Sequence, residues 1–485
     1  MKKNKKYFLI ICLMILFCFI FKPALAFEFK PALFTKLANS KNEVPEINFP
    51  EHSILQLDNG MIVYLAPDHS LPLIEIKGYL ARGKIIESKS ETGMTDLVTN
   101  LMLTASENYS EQEMARYQES NGLAVKLSAG MDRVTITANA LKSDQGRLID
   151  LLAEILRRPS FKGPQFNRTV AEYKQLYQQQ FYDDSALLDM YFFKNIYTNH
   201  PYGYNYDYNL NLKVLKTITP KQTADFYHKL VQPDQLVLAI SGDFKTNQLE
   251  QIIKADFADW KNTKIKLNEK QVSVNPTNQN KIILVNKPDA TQAKLRMGYN
   301  FYTDQFAKKV PFMMGNRIFG SGSFNSRLMK ELRSKKGYVY GINSVTSYHD
   351  YGGAYYINLS VKPANTLASI RAVKKEMQQV KSGSKPFSKA ELFENINLYN
   401  AVFPRAYQKQ LDRLDQLVYQ VEIMGRSRNY LKNYIKQYNG LTAAEVQEIF
   451  AADLYPDIML TVIVGPEAKI LPSLKAAGLK VEVIN

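Results

Sequence analysis

An arginine and a tyrosine on either side of a helix-to-strand reversal, Arg333 and Tyr340, could bring several hydrogen-bond donors together at one place. Arg333 falls in the last turn of a helix that opens at Asn325 or Ser326 and stops at Gly337, a residue suited to the left-handed conformation that ends helices. Tyr338, Tyr340 and Ile342 then share one face of the next strand by its period of two, which brings Tyr340 back beside Arg333. A guanidinium stays charged and offers several donors in one plane, and a phenol adds one more. Together they can orient a scissile bond, grip a carboxylate, or steady charge developing on a carbonyl oxygen. The plainer alternative pairs Arg333 with a nearby carboxylate and packs Tyr340 in the sheet.

Other chemistries find less support. The five histidines, His52, His69, His200, His228 and His349, are too scattered to build a metal site in an obvious way and read as structural or exposed. Both cysteines, Cys12 and Cys18, lie inside an N-terminal export segment, which leaves no thiol for disulfides or metal after processing. The run Gly320-Ser321-Gly322 lacks the Lys-Ser/Thr of a phosphate loop and matches no dinucleotide fingerprint, so it reads as a flexible loop beside a cleft.

The export segment has a basic start (Lys2, Lys3, Lys5, Lys6), an apolar stretch from Phe8 to Phe21, and a small-x-small cleavage site at Ala24-Leu25-Ala26. The apolar stretch is shorter than the roughly 20 residues a membrane span needs and ends at Lys22-Pro23, so cleavage is preferred to anchoring. Residues 1–26 are thus a signal peptide, and no stable membrane span remains after cleavage. The formal charge of +16 includes five lysines of that segment, and losing them leaves +11. The remaining Lys and Arg are scattered singly, without an arginine-rich stripe interleaved with aromatics, which argues against nucleic acid.

The chain describes one kind of unit twice. In the first half, Ser53 to Leu57, the turn Asp58-Asn59-Gly60 and Met61 to Leu65 form a hairpin, followed by a strand from Leu73 to Leu80. A helix spans about Gly93 to Ala105, with Leu97 and Leu101, and Met94, Val98 and Met102, at helical spacing. A strand over Arg133 to Ala140, helices over Gly146 to Arg157 and Gln165 to about Tyr182, and a buried strand from Val237 complete it. The second half repeats the scheme, with strands at Lys281 to Val285 and Ala293 to Tyr299 and helices at Val310 to Ile318 and Ser326 to Lys336. A hairpin of Tyr338 to Ser347 with Ala354 to Val361 follows, and the unit closes on the strand Ile458 to Gly465. Strands interleaved with helix pairs, without regular βαβ alternation, predict an α+β protein of two homologous sandwich domains. Each has a mostly antiparallel sheet with helices on one face. The domains cover 27–261 and 281–485, joined by a polar linker at 262–280.

Several fragments, in order, resemble the pitrilysin/insulinase-like zinc metallopeptidases. They are Leu57-Asp58-Asn59-Gly60-Met61-Ile62-Val63, His200-Pro201-Tyr202-Gly203, the stretch from Thr217-Ile218-Thr219-Pro220 to Gly242-Asp243, and Gly320 to Leu328 with Glu331 to Tyr340. The resemblance covers essentially the whole processed chain. It implies an inverted zinc motif, His-x-x-Glu-His, on the first half's helix, with a further Glu well downstream. Here Asp96, Thr99 and Asn100 stand at the His, Glu and His positions, and Glu172 lies near the downstream ligand. Asn100 offers only a neutral amide oxygen and Thr99 cannot act as a general base, so this chain is expected to hold no metal of its own. Asp96 and Asn100 read most simply as residues that cap and hydrogen-bond near the helix start. The resemblance also implies a role for Arg333 and Tyr340: in the family's heterodimeric bacterial members one subunit carries zinc and the other carries this pair, which holds substrate.

The expectation is therefore a non-catalytic, substrate-binding subunit of a periplasmic heteromeric zinc endopeptidase acting on short or unfolded peptides. Zinc comes from a homologous partner subunit, and the chain alone is inactive. The alternatives are a peptide-binding or scaffolding protein with no role in proteolysis, and an autonomous enzyme with a rearranged metal site.

Overall fold

The computed structural model describes residues 43–263 and 280–485. The signal segment with both cysteines, and most of the linker, lie outside the described residues. The first half builds one sheet from β1 (Ser53–Gln56), β2 (Ile62–Pro67), β3 (Leu73–Leu80), β4 (Ala124–Ala129), β5 (Val134–Leu141) and β6 (Leu236–Gly242), in the order β1-β2-β6-β3-β5-β4. The second half builds another from β7 (Ile282–Asn286), β8 (Ala293–Phe301), β9 (Val339–Tyr348), β10 (Gly353–Val361), β11 (Leu460–Gly465) and β12 (Val481–Ile484), in the order β12-β7-β11-β8-β10-β9. The orders superpose place by place: β2 on β7, β6 on β11, β3 on β8, β5 on β10, and the edge strand β4 on the edge strand β9. Pairing is mostly antiparallel; β2 with β6, and β7 with β11 and β12, are parallel. This is the α+β architecture of two like domains.

The opening hairpin follows from its turn residues. Gly60 takes φ 97°, a conformation that favours glycine, and Asn59 Oδ1 accepts from the Met61 N–H at 3.2 Å. The Asn59 amide also donates to Phe257 O and Trp260 O, tying the turn to the end of the helix Thr246–Phe257. Beyond the strands expected, β4 and β12 are present; both are short.

Each sheet packs one face on its own helices. Val63, Leu65, Leu238 and Ile240 join one core with the helices Met94–Met102 and Gln145–Arg157, and Leu295, Met297 and Ile463 join another. The other faces are covered too, each by a helix from the opposite half. Tyr64, Ala66, Val237 and Ala239 pack against Leu411, Leu414, Leu417 and Val418 of the helix Gln410–Val418. Ile283, Val285, Leu460, Val462 and Val464 pack against Leu187, Leu188, Phe192 and Phe193 of the helix Asp184–Ile196. The central strands β6 and β11 are mostly apolar and buried almost throughout, since both of their faces are covered.

Polar groups register this exchange. Arg296 of β8, which stands among the outward residues, pairs with Asp189 and lies under the rings of Phe192, Phe193 and Tyr356, while its Nε donates to Asn358 Oδ1 at 2.8 Å. On the other seam Lys77 meets Asp412 at 2.9 Å, and the Tyr79 hydroxyl donates to Asp415 at 2.7 Å. The His200-Pro201-Tyr202-Gly203 turn belongs to the same system. Its Tyr202 hydroxyl donates to Asp132, whose second oxygen lies 3.0 Å from His349 Nδ1 on the β9–β10 connection. A Cβ at Gly203 would lie 2.3 Å from Tyr197 O, so only glycine fits there. Among the described residues no helix is long and apolar enough to cross a membrane.

Leu414 is wholly buried in the cross-half contact. Leu414→Ala is expected to lower the unfolding free energy by about 3 kcal/mol, measured by urea denaturation, whereas Leu398→Ala on an exposed helix face should change it by less than ~1 kcal/mol.

Candidate functional site

The helix Met94–Met102 starts at Gly93, which takes φ 83° and whose Cβ, if present, would sit 2.8 Å from the Tyr177 hydroxyl oxygen. Its first turn is capped from a distance. The carboxylate of Glu87, only 2% exposed, accepts from Gly93 N at 3.0 Å and Thr95 N at 2.7 Å. Burial pushes the Glu87 carboxyl up to about 7, against the pull of the Thr95 contacts and the nearby Lys84 ammonium.

Two of the three positions of the expected zinc motif are committed elsewhere. Asp96 forms an ion pair with Lys84, Nζ to Oδ2 2.7 Å, with both side chains largely shielded, and receives a longer contact from the Tyr177 hydroxyl at 3.4 Å. Thr99 is buried and turns its hydroxyl back onto the helix, donating to Thr95 O at 2.8 Å and Asp96 O at 3.1 Å. Asn100 is exposed. Neither Asp96 nor Asn100 caps the helix start, which is the work of Glu87.

Glu172, expected near the downstream ligand, points away: it is 61% exposed and faces Arg168 at 3.7 Å. From the same helix, Pro164–Gln180, it is Tyr173 and Tyr177, one turn apart, that face the motif, Tyr173 donating to Asp96 O at 3.1 Å. Among the described residues no three or more His, Cys, Asp or Glu side chains are grouped to hold a metal ion. Zinc does not fit this set of donors. The carboxylate already has an ammonium counter-ion, the threonine hydroxyl is spent on its own helix, and a tyrosine faces the place where a further acid would be needed.

The second pair is free. Arg333 lies in a π-helical stretch, Met329–Lys335, which replaces the regular helix expected from Ser326 to Lys336. Gly337 ends it at φ 63°, with its N–H donating to Arg333 O and the Tyr338 N–H to Leu332 O. Strand β9 then begins with a bulge. Gly341 pairs with Ser360 and Val339 with Val361, so Tyr340 is the extra residue between them. The face shared by Tyr338, Tyr340 and Ile342 under strict alternation is therefore broken: Val339 and Ile342 are buried while Tyr340 is 48% exposed. Arg333 is exposed as well, its guanidinium 5.6 Å from the centre of the exposed Phe324 ring. Among the described residues neither Arg333 nor Tyr340 makes a side-chain hydrogen bond or ion pair; the nearby Glu331 is held by Lys335 and Lys336.

The Gly320-Ser321-Gly322 run, expected as a loop, is instead close-packed around a π-helical turn, Arg317–Ser321. A Cβ at Gly320 would lie 2.3 Å from Ser344 Oγ, and one at Gly322 2.2 Å from Arg317 O. The sequence signals missed were Lys84 and Glu87, since charged residues ahead of a helix carry no pattern, and the four-residue spacing of Tyr173 and Tyr177.

Residues 76–206 match the insulinase family (peptidase family M16), and residues 217–399 match the peptidase M16 inactive domain. A probable inactive metalloprotease of Bacillus subtilis, YmfF, is 25% identical over 265 residues, which cover 52% of this chain and 59% of that relative's length. The fold is shared with a crystallised peptidase M16 inactive domain from Pseudomonas fluorescens (TM-score 0.74, 20% identity, 86% of this chain and 98% of that one). It is also shared with the periplasmic protease PqqL from Escherichia coli (TM-score 0.66, 14% identity, 87% of this chain and 48% of that one).

Glu87 yields a signed pH dependence. Its carboxyl is raised from 4.5 to about 7 in the fold, so its contribution is fully present below pH 4.5 and is lost as pH rises through 7. Relative to Glu87→Gln, the native chain is expected to lose ~2.5 kcal/mol of unfolding free energy between pH 5 and pH 8. Denaturation curves of both proteins at the two pH values measure this, and a difference that stays constant with pH would refute it.

Proposed function

We propose that this chain, which belongs to the insulinase family of peptidases (family M16), is the non-catalytic, substrate-binding subunit of a periplasmic zinc endopeptidase whose metal is carried by a homologous partner. The observation that carries this reading is the contrast between the two sites. Of the zinc-motif positions, Asp96 is paired with Lys84 and Thr99 is bonded to its own helix, whereas Arg333 and Tyr340 project into solvent with their donors unused by the chain. Donors not taken up inside the chain are available to a ligand, and a bulge can aim a tyrosine outward.

The protein of known structure PqqL supports the partner. This chain matches 48% of PqqL and 97% of a structure of PqqL's first half, so PqqL's longer chain leaves room for a second unit of similar size. That protein is also described as periplasmic, in keeping with the signal segment read from Lys2 to Ala26. A short or unfolded peptide is the fitting substrate class, because an extended backbone presents its carbonyls to a guanidinium and a phenol. Zinc in the partner would supply the activated water, and this chain's residues would hold and orient the peptide.

The test is the native complex, purified through a tag on this chain and assayed with an unstructured fluorogenic peptide. A zinc-containing homologue is expected to co-purify. Arg333→Ala and Tyr340→Phe should each lower kcat/KM about tenfold or more at unchanged zinc content, the loss of a charge-assisted or neutral hydrogen bond in the transition state. Unchanged turnover in both variants, or no zinc-bearing partner, would move the chain to a peptide-binding role without proteolysis.

A further inference from the structure

A second arginine lacks an anion, and it is not exposed. Arg317 begins the π-helical turn that follows the helix Lys309–Asn316, which holds in the second half, after β8, the place that Met94–Met102 holds after β3. Its Nε is sealed from solvent and has no hydrogen-bond partner, while its two terminal nitrogens are not sealed. Its guanidinium lies 5.4 Å from the centre of the Tyr399 ring. The Tyr399 hydroxyl is 2.9 Å from that of Tyr434, so two phenols line this place. Among the described residues no carboxylate is within ion-pair distance of Arg317.

The contrast with its peers is sharp. Arg133, Arg296, Arg327 and Arg426, all well shielded, each hold a carboxylate: Asp350, Asp189, Glu391 and Asp304. A shielded guanidinium with only a ring beside it is not fully compensated, since a cation–π contact returns less than hydration removed. Its burial already shifts Arg317 downward, with no carboxylate acting against it. The planar fork of such a group is complementary to one ligand class above others, a carboxylate, which it binds through two parallel bonds.

Arg317 and Arg333 also lie on either side of the segment from Gly320 to Asn325, in which Gly320 and Gly322 are close-packed and Asn325 is bonded to Glu394 at 2.6 Å. We propose that Arg317 is a carboxylate-binding residue that anchors a carboxyl group of the peptide held by Arg333 and Tyr340. The inference rests on the reading that this chain binds peptide there, and it adds a substrate preference: peptides bearing a carboxylate, either at the free C-terminus or on an Asp or Glu side chain.

The experiment uses the purified complex and three versions of one short unstructured peptide without other acids: C-terminal acid, C-terminal amide, and the amide with one internal Glu. The acid is expected to show a KM about tenfold below that of the amide, with kcat little changed. Arg317→Met should erase that ratio and leave the amide's KM unaltered, and Arg317→Lys should keep only part of it, having charge without the fork. If the internal-Glu amide, rather than the acid, shows the low KM, the carboxylate recognised is a side chain. Equal KM values for all three peptides, or ratios that survive Arg317→Met, overturn the proposal. Fluorescence anisotropy of the same peptides on this chain alone separates the two readings. Tighter binding of the acid or of the internal-Glu amide than of the plain amide, lost in Arg317→Met, supports the anchor even if no zinc partner is found, and equal binding of all three peptides rejects the anchor even if the subunit role stands. Removing an unpaired shielded cation should leave the melting temperature of Arg317→Met equal or higher, so the variant remains readable.

Discussion

The covering of each sheet by a helix from the other half is the contact on which the rest of the structure depends. A sheet with its helices on one side only would leave the outward side chains of its central strands in water, and here those are Tyr64, Val237, Ile283 and Val462. The helices Asp184–Ile196 and Gln410–Val418 remove that surface reciprocally, so neither half has a complete core without the other. Arg296 under three aromatic rings and opposite Asp189, and Lys77 between Asp412 and Asp415, give this apolar contact a single register.

Held in that frame, the first half's helix and the second half's arginines have gone separate ways. The Met94–Met102 helix has its cap, its left-handed glycine and its packing, and Asp96 and Thr99 are engaged by groups from within the chain while Asn100 faces solvent. Lys84 supplies a positive charge to Asp96 without any metal, and Tyr177 fills the space beside it. Such a site is internally neutral and hydrogen-bonded, which favours a rigid wall over a reactive centre. In the second half the reverse holds. Arg333 and Tyr340 are delivered to the surface by two departures from regularity, a π-helical turn and a β-bulge, with a glycine between them that only has to end the helix. Irregular backbone of this kind is unfavourable locally and persists where the surrounding sheet over-determines it.

Much of this was legible in the residues. The duplicated α+β plan, the Asn59-Gly60 hairpin, the apolar closing strands β6 and β11, and the helix end at Gly337 follow from periodicity and turn chemistry, which are local properties. That threonine and asparagine make poor zinc donors was also plain, because ligand chemistry is a property of residue type, whereas the placing of Asp96, Thr99 and Asn100 at a metal motif came from the family resemblance. Strands β4 and β12 were missed since four to six residues of mixed polarity carry little pattern.

What tertiary structure alone decided is where those side chains point and what meets them. The period of two put Tyr340 on the face of Ile342; a one-residue bulge, set by pairing with Ser360 and Val361 twenty residues on, sent it outward instead. The family resemblance placed Glu172 near the motif, yet the rotation of Pro164–Gln180, set by packing, turned Tyr173 and Tyr177 inward and Glu172 to solvent. The Lys84–Asp96 pair, the distant cap from Glu87 and the solitary Arg317 are contacts or absences of contact between segments, and no local pattern encodes them. Residue type determined which donors this protein carries; the packing of two interlocked halves decided which of them are spent inside the chain and which face solvent.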